Sequence, residues 1–270
     1  MSAEPLRQIT EDEVDTYRTD GVVKLSGLFD PLWIDRLRAV VDRSMATPGR
    51  QVREYDTGDV GRFHANLFQW ETDPDLRAFV FDSPGGAIAA RLMGSESVSF
   101  FFDHLLVKEP GTVNATPWHQ DLPYWPVLGD QVCSLWFAMD PVDEASGAVR
   151  YVAGSHRWST WFRAQSFGGS DKYSDATMPA VPDIESDPDQ RIVTFDLVPG
   201  DVVAHHVMTL HGARGNTSTK PRRRGLSTRW LGDDVVYDPR PKAMTLPFIA
   251  DVVPGQAMRS ERFPLVYPHA

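Results

Sequence analysis

The chain has 270 residues and a mass of 30.2 kDa, with 41% hydrophobic and 24% charged residues, values that allow a substantial buried core without disulfides as staples. Its formal net charge of -10 opposes a phosphate backbone, which requires Lys and Arg to displace counterions, so nucleic acid is not an expected partner. One cysteine forms no internal disulfide, no apolar run approaches the ~18 residues that span a bilayer, and the acidic opening MSAEPLRQITEDEVD carries no secretory signal, so the expectation is a cytoplasmic protein with no membrane partner.

In chain order, Thr10 followed by Glu13 is a capping-box pattern and predicts a helix over TEDEVDTY. GVVKLSG, bounded by glycines, reads as a strand. After Asp30 and Pro31, the run WIDRLRAVVDRSMA puts Trp33, Leu37, Val40 and Val41 on one helical face. The opening, residues 1–95, is therefore expected to be helical with one strand inserted.

From about residue 97 the pattern changes to short β-rich runs separated by Gly, Pro and Asp: SVSFFFDHLLVKE, QVCSLWFAMDPV, AVRYVAG, RIVTFDLV, DVVAHHVMTL and RGLSTRWLG. Six such runs predict a mainly β fold with flanking helices, of the jelly-roll, cupin-like kind, with its core over residues 97–235. Cys133, inside the second run, reads as a buried spectator. Residues 156–190 mix aromatics with Gly, Ser, Asp and Pro, as a lid or binding loop does, and residues 236–270 are expected to wrap the surface of a single domain spanning 1–270.

The chemistry lies in two segments. TPWHQDLPYW presents His119 and Asp121 two residues apart, so on a strand both would project from one face. DVVAHHVMTLHGARG ends a β-rich run at His211, a third candidate ligand. Two imidazoles and one carboxylate on one face of an octahedron leave three adjacent positions open, the arrangement of non-haem Fe(II) oxygenases. Two vacancies suit a chelating 2-oxo acid and the third dioxygen. The remote carboxylate of 2-oxoglutarate then needs a cation, for which a guanidinium is a bidentate match. Strand alternation places Arg223, Gly225, Ser227 and Arg229 on one face, and the small Gly225 leaves room for a ligand, which favours Arg223 and holds Arg222 in reserve.

The spacing of the His-x-Asp pair, a distal His followed by Gly, Asn216 and an Arg entering a strand resembles the phytanoyl-CoA dioxygenase family. So do VKEPG, PWHQD, WFAMDPVDEASGAVRYVAGSHR and VPGDVVAHH. The resemblance implies a double-stranded β-helix with Fe(II) and 2-oxoglutarate as cofactors. It implies hydroxylation of a small-molecule substrate with release of succinate and CO2. It places Trp136 beside 2-oxoglutarate, with Lys108, Gln120 and Ser134 lining the same pocket. Asp121 fills the position that related halogenases leave open, which disfavours halogenation. One departure is Ala213, since related enzymes often carry a hydroxyl residue two positions after the distal His.

Other candidates are weighed against plainer roles. His104, Tyr124, Trp125 and Trp158 are candidate substrate contacts, together with Trp161 and Phe162. One of His205 and His206 is expected to face inward as a hydrogen-bonded support, His156 to be structural, and His64 and His269 to lie at the surface. Competing readings are a zinc hydrolase built on the same three ligands and a non-catalytic jelly-roll binding module.

Overall fold

The computed structural model describes residues 1–49, 51–55, 61–165, 173–219, 222–246 and 251–268. Thr10 starts the first helix, α1 (Glu11–Asp20), because its hydroxyl accepts from the Glu13 amide at 3.2 Å while the Glu13 carboxylate accepts from the Thr10 amide at 2.8 Å. The helix stops at Gly21, whose φ of 70° suits glycine, and a Cβ there would lie 2.3 Å from His156 Nδ1. β1 (Val22–Leu25) follows, then α2 (Pro31–Ala46), capped by Asp30 and started by Pro31. The buried face of α2 holds Trp33, Ile34, Leu37, Val40 and Val41, as its apolar spacing predicts.

The first 95 residues hold more strand than expected. β2 (Val52–Tyr55) and β3 (Phe63–Leu67) form an antiparallel hairpin on the edge of the main sheet. β3 shows no alternation because both of its faces are covered. Its polar residues are satisfied internally: His64 reaches Glu54 Oε1 at 2.7 Å and Ser44 Oγ at 3.1 Å, and Asn66 donates to Ser44 Oγ at 3.0 Å. His64 is therefore fully buried rather than at the surface. α3 (Pro74–Asp82) and α4 (Gly85–Met93) complete the α-helices among the described residues, and none of the four is long and apolar enough to cross a membrane.

The remaining strands are β4 (Val98–Lys108), β5 (Thr116–His119), β6 (Val127–Leu128), β7 (Val132–Ala138), β8 (Val149–Val152), β9 (Ile192–Thr194), β10 (Val202–His206), β11 (His211–Ala213), β12 (Arg223–Leu231), β13 (Val236–Tyr237) and β14 (Leu265–Tyr267). The main sheet runs β1-β10-β7-β12-β4-β3-β2, with β14 also pairing β4, and the smaller sheet runs β5-β11-β8-β9. Within this order the strands β4-β12-β7-β10 face β5-β11-β8-β9, and from β4 to β12 the chain alternates between the two sheets strand by strand, apart from the short β6 and the β8-β9 hairpin. That is the double-stranded β-helix of a jelly roll. RIVTFDLV yields only three strand residues, Ile192–Thr194, plus a bridge from Leu197 to Val142.

Period-two alternation sorts the main sheet into a helix-covered face and an inner face. On β7, Cys133, Leu135 and Phe137 pack with Trp33, Phe79 and Ile88 of the helices, while Trp136 and Ala138 point toward the smaller sheet. Cys133 is buried, and burial pushes its thiol up to about 12. On β4 a bulge interrupts the alternation: Arg229 pairs with Phe102 but Trp230 pairs with Phe100, leaving Phe101 as the extra residue. Phe101 and Phe102 consequently both pack in the cluster that holds Trp125 and Phe263, while Phe100 stays with Trp230 at 5.0 Å. The C-terminal segment packs Met258 and Phe263 onto the core before β14, with Val266 buried within it, joins the sheet.

Candidate metal centre

Register brings the two histidines together. On adjacent antiparallel strands His211 pairs directly with His119, and their ring centroids lie 4.1 Å apart. Gly212 allows this approach, since a Cβ there would sit 3.0 Å from the Thr116 carbonyl. Asp121 arrives differently from the strand geometry expected of it. β5 ends at His119, and Asp121 adopts helical φ and ψ of -77° and -41° ahead of the turn Leu122–Tyr124, held by the hydrogen bond its N–H donates to the Val207 carbonyl at 3.0 Å. His119, Asp121 and His211 nonetheless converge, with one candidate ligand atom from each within 4.8 Å of the others.

The surroundings fix which atoms face inward. His119 Nδ1 donates to the Pro117 carbonyl at 2.8 Å and His211 Nδ1 to the Thr209 carbonyl at 2.9 Å, so each ring presents the Nε2 lone pair. These Nε2 atoms lie 3.7 Å and 3.9 Å from Asp121 Oδ1. The other carboxylate oxygen, Oδ2, accepts from Ser134 Oγ at 3.3 Å and has His205 Nε2 at 3.5 Å. His205 is thus the inward supporting histidine, whereas His206 turns to Asp130, and His156 packs at a loop start against the Arg18 carbonyl. Burial, and then the neighbouring charge of His211, pushes His119 down to about 3; burial pushes His211 down to about 4. Both imidazoles are neutral near pH 7. Burial alone would raise the Asp121 carboxyl, but His205, His211, Arg229 and His119 hold it well below the usual carboxylate range.

The triad opens into a cavity that continues to the surface, its walls a few polar groups set among aromatic and aliphatic side chains. One end is fully buried and holds Trp136, Tyr151 and Arg223. The Arg223 guanidinium lies 5.3 Å from the Trp136 ring centroid, and burial lowers it only to about 10, so it stays cationic. Past the triad the wall is Phe102, His104, Trp125 and Arg229, and the mouth includes Arg53, Tyr124, Tyr173, Gln165 and Met244. Arg229 stacks on Phe102 and Trp125 and donates to the Ser227 carbonyl at 2.8 Å.

Several expected pocket residues lie elsewhere. Arg222 points out to Glu109 at 3.2 Å, because alternation turns it away from Arg223. Lys108 is buried, but its Nζ donates to the Asn114 and Arg214 carbonyls at 2.9 Å and 2.8 Å, so it braces the loops rather than lining the cavity. Gln120 faces away from its neighbours His119 and Asp121 and ties Thr160, Met208 and Phe162 through its amide. Ser134 supports Asp121 rather than the cosubstrate end. Trp158 packs edge-on against Phe162 at 6.2 Å, outside the cavity lining, and Trp161 stacks with Arg240. Gly225 leaves room for the Trp136 indole, not for a ligand: a Cβ there would lie 2.3 Å from Trp136 Cζ2. His269 and residues 166–172 lie outside the described residues. Arg229 is placed by the sequence on the face of Arg223 without a role, and Tyr151 is not singled out there, although the alternation Val149, Tyr151 and the register with His211 point Tyr151 inward.

The donor set suits a ferrous ion, with nitrogen and oxygen ligands of borderline and hard character. At the buried end Trp136 Nε1, Tyr151 Oη and Arg223 Nε have no hydrogen-bond partner, which is what a carboxylate-bearing cosubstrate would satisfy.

Comparison with known proteins agrees with this geometry. The family model described as phytanoyl-CoA dioxygenase (PhyH) matches residues 17–224. A probable phytanoyl-CoA dioxygenase of Caenorhabditis elegans is 28% identical over 129 residues, covering 44% of this chain and 37% of the relative. A probable alpha-ketoglutarate-dependent hypophosphite dioxygenase of Stutzerimonas stutzeri is 32% identical over 106 residues, covering 39% of this chain and 36% of the relative. The chain thus matches little more than a third of the length of either relative. Among solved structures, the non-haem alpha ketoglutarate dependent carbocyclase SnoK from nogalamycin biosynthesis superposes with a TM-score of 0.77 at 26% identity, covering 98% of both chains. The epimerase SnoN, solved with Fe3+, alpha ketoglutarate and nogalamycin RO, shares the fold with a TM-score of 0.75 at 21% identity, covering 95% of this chain and 98% of SnoN.

Proposed function

The chain belongs to the phytanoyl-CoA dioxygenase (PhyH) family, and we propose that it hydroxylates an unactivated C–H bond of a small molecule with dioxygen as oxidant. As a member it is an iron- and 2-oxoglutarate-dependent oxygenase. The balance is one substrate C–H, one dioxygen and one 2-oxoglutarate giving one alcohol, one succinate and one CO2. The convergence of His119, Asp121 and His211 on one point of the cavity wall carries the reading.

Iron and 2-oxoglutarate, when bound, supply the oxidising chemistry. The chain supplies position and a dry site. His119 and His211 keep their lone pairs inward through carbonyl bonds at Nδ1, and Ser134 turns Asp121 so that Oδ1 faces them. Arg223 offers its cation to the remote carboxylate of the cosubstrate from a buried position over Trp136. Phe102 and Trp125, with Tyr124 and Tyr173 nearer the mouth, exclude water from the reacting C–H bond and set a preference for an apolar or aromatic substrate. A zinc hydrolase or an inert binding module would leave the unpartnered donors of the buried end without a role.

A second outcome, ring closure or epimerisation, is favoured by the full-length likeness to the carbocyclase SnoK. Product mass separates the outcomes: hydroxylation adds one oxygen, ring closure removes two hydrogens, and epimerisation leaves the mass unchanged. The test is anaerobic titration of the protein with Fe(II) and 2-oxoglutarate, followed by dioxygen and measurement of succinate and substrate mass over a metabolite panel. A visible charge-transfer band and substrate-dependent succinate are expected. Retention of both by His119→Ala would overturn the reading.

A further inference from the structure

Ala213, two residues after His211, brings no hydroxyl to the cavity wall. A hydroxyl reaches the cavity from the neighbouring strand. Tyr151 pairs in register with His211 and its ring stacks on that imidazole, with centroids 5.8 Å apart and planes 25° from parallel. The residue is 0% exposed, it lines the cavity, and its Oη has no hydrogen-bond partner. Buried tyrosine hydroxyls ordinarily find a partner, and phenylalanine would pack the same space without stranding a polar atom.

The orphaned hydroxyl is not isolated. Tyr151 and Trp136 belong to one buried cluster, Arg223 stacks on Trp136, and Trp136 Nε1 and Arg223 Nε are unpartnered as well. Burial, and next the charge of Asp121, push the Tyr151 phenol up, and the charge of Arg223 opposes them. Three donors without a protein acceptor therefore line one cavity. An oxyanion from outside the chain completes the set.

We infer that Tyr151 Oη, together with Arg223, donates a hydrogen bond to the remote carboxylate of 2-oxoglutarate. The inference rests on the reading of the centre as an iron and 2-oxoglutarate site, and its test separates the two. The Fe(II) protein is titrated anaerobically with 2-oxoglutarate and with pyruvate, which has the same chelating end and no remote carboxylate, in wild type and Tyr151→Phe. Loss of one hydrogen bond to a charged group predicts 2-oxoglutarate binding weaker by about tenfold or more in Y151F, with pyruvate binding unchanged. The metal-free Y151F protein should melt no lower than wild type, since the substitution removes only an unpartnered hydroxyl. If wild type develops no charge-transfer band with 2-oxoglutarate, the underlying reading fails. If the band forms but Y151F binds 2-oxoglutarate within twofold of wild type, or loses both ligands equally, the role assigned to Tyr151 alone is overturned.

Discussion

Gly225 shows how one residue governs the cosubstrate end. Trp136 Cζ2 lies 2.3 Å from where its Cβ would be, and Arg223 rests on that indole. Gly225→Ala therefore has to displace Trp136 and with it the guanidinium. We expect a stability loss of about 1–3 kcal/mol in urea denaturation and at least tenfold weaker 2-oxoglutarate binding. Arg222→Ala is the control, because Arg222 is 38% exposed and, among the described residues, pairs with Glu109 and Met45; it should leave cosubstrate binding unchanged and stability within a few tenths of a kcal/mol. Lys108 gives a pH dependence. Burial, and next the charge of Arg223, pushes its ammonium down to about 6, whereas in the unfolded chain it titrates near 10.5. Between those values the unfolded state binds more protons, so this group makes stability rise with pH, by up to about 1.4 kcal/mol per unit. Denaturation curves of wild type and Lys108→Met from pH 7 to 10 should show that slope in the difference between them, and parallel curves would refute it. At this scale the triad was legible because ligand types and spacing are local facts. The roles expected of Lys108, Gln120 and Trp158 were not, since which way a buried amide or ammonium turns depends on carbonyls far along the chain, such as Arg214 and Met208.

Among the elements, the strands of the core announced themselves by their apolar runs, and α1 and α2 by their caps and faces. β3 did not. A strand covered on both sides that carries His64 and Asn66 loses the alternation on which a sequence reading relies, and its polar groups make sense only once Ser44 of α2 and Glu54 of β2 are seen beside it. The bend of Asp121 out of β5 was hidden for a related reason: it follows from the Val207 carbonyl, which belongs to the turn between β10 and β11. That turn is also held from the other side. Gln120 donates to the Thr160 and Met208 carbonyls and accepts from the Phe162 amide, joining the irregular segment after β8 to the turn that precedes His211. Gln120→Leu would strand those groups, and the expected results are faster amide exchange at Phe162 together with a stability loss of about 1–3 kcal/mol. Unchanged exchange at Phe162 would show that the segment is held by its apolar contacts alone.

Over the whole molecule, the centre is a joint between two sheets. His119 and His211 come from the smaller sheet, Trp136, Ser134 and Arg223 from the main sheet, and Asp121 from the turn between β5 and β6. The jelly-roll order was readable as a class from six β-rich runs, but the pairing of His211 with His119 is a consequence of closure that no single run encodes. Because the centre draws residues from both sheets, occupancy has to report on global stability and not only on the site. A ligand that binds only the folded chain stabilises it by about 2.7 kcal/mol at a hundred times its dissociation constant. Fe(II) under anaerobic conditions should therefore raise the melting temperature, and 2-oxoglutarate should raise it further only when the metal is present. A chelator should reverse both shifts. Asp121→Ala should abolish the metal-induced shift, whereas Arg223→Ala should keep it and lose the increment from 2-oxoglutarate. That pattern separates the triad from the buried carboxylate end. Equal increments from 2-oxoglutarate with and without metal would mean that the acid binds away from the triad, and the two-sheet joint would not be a single centre.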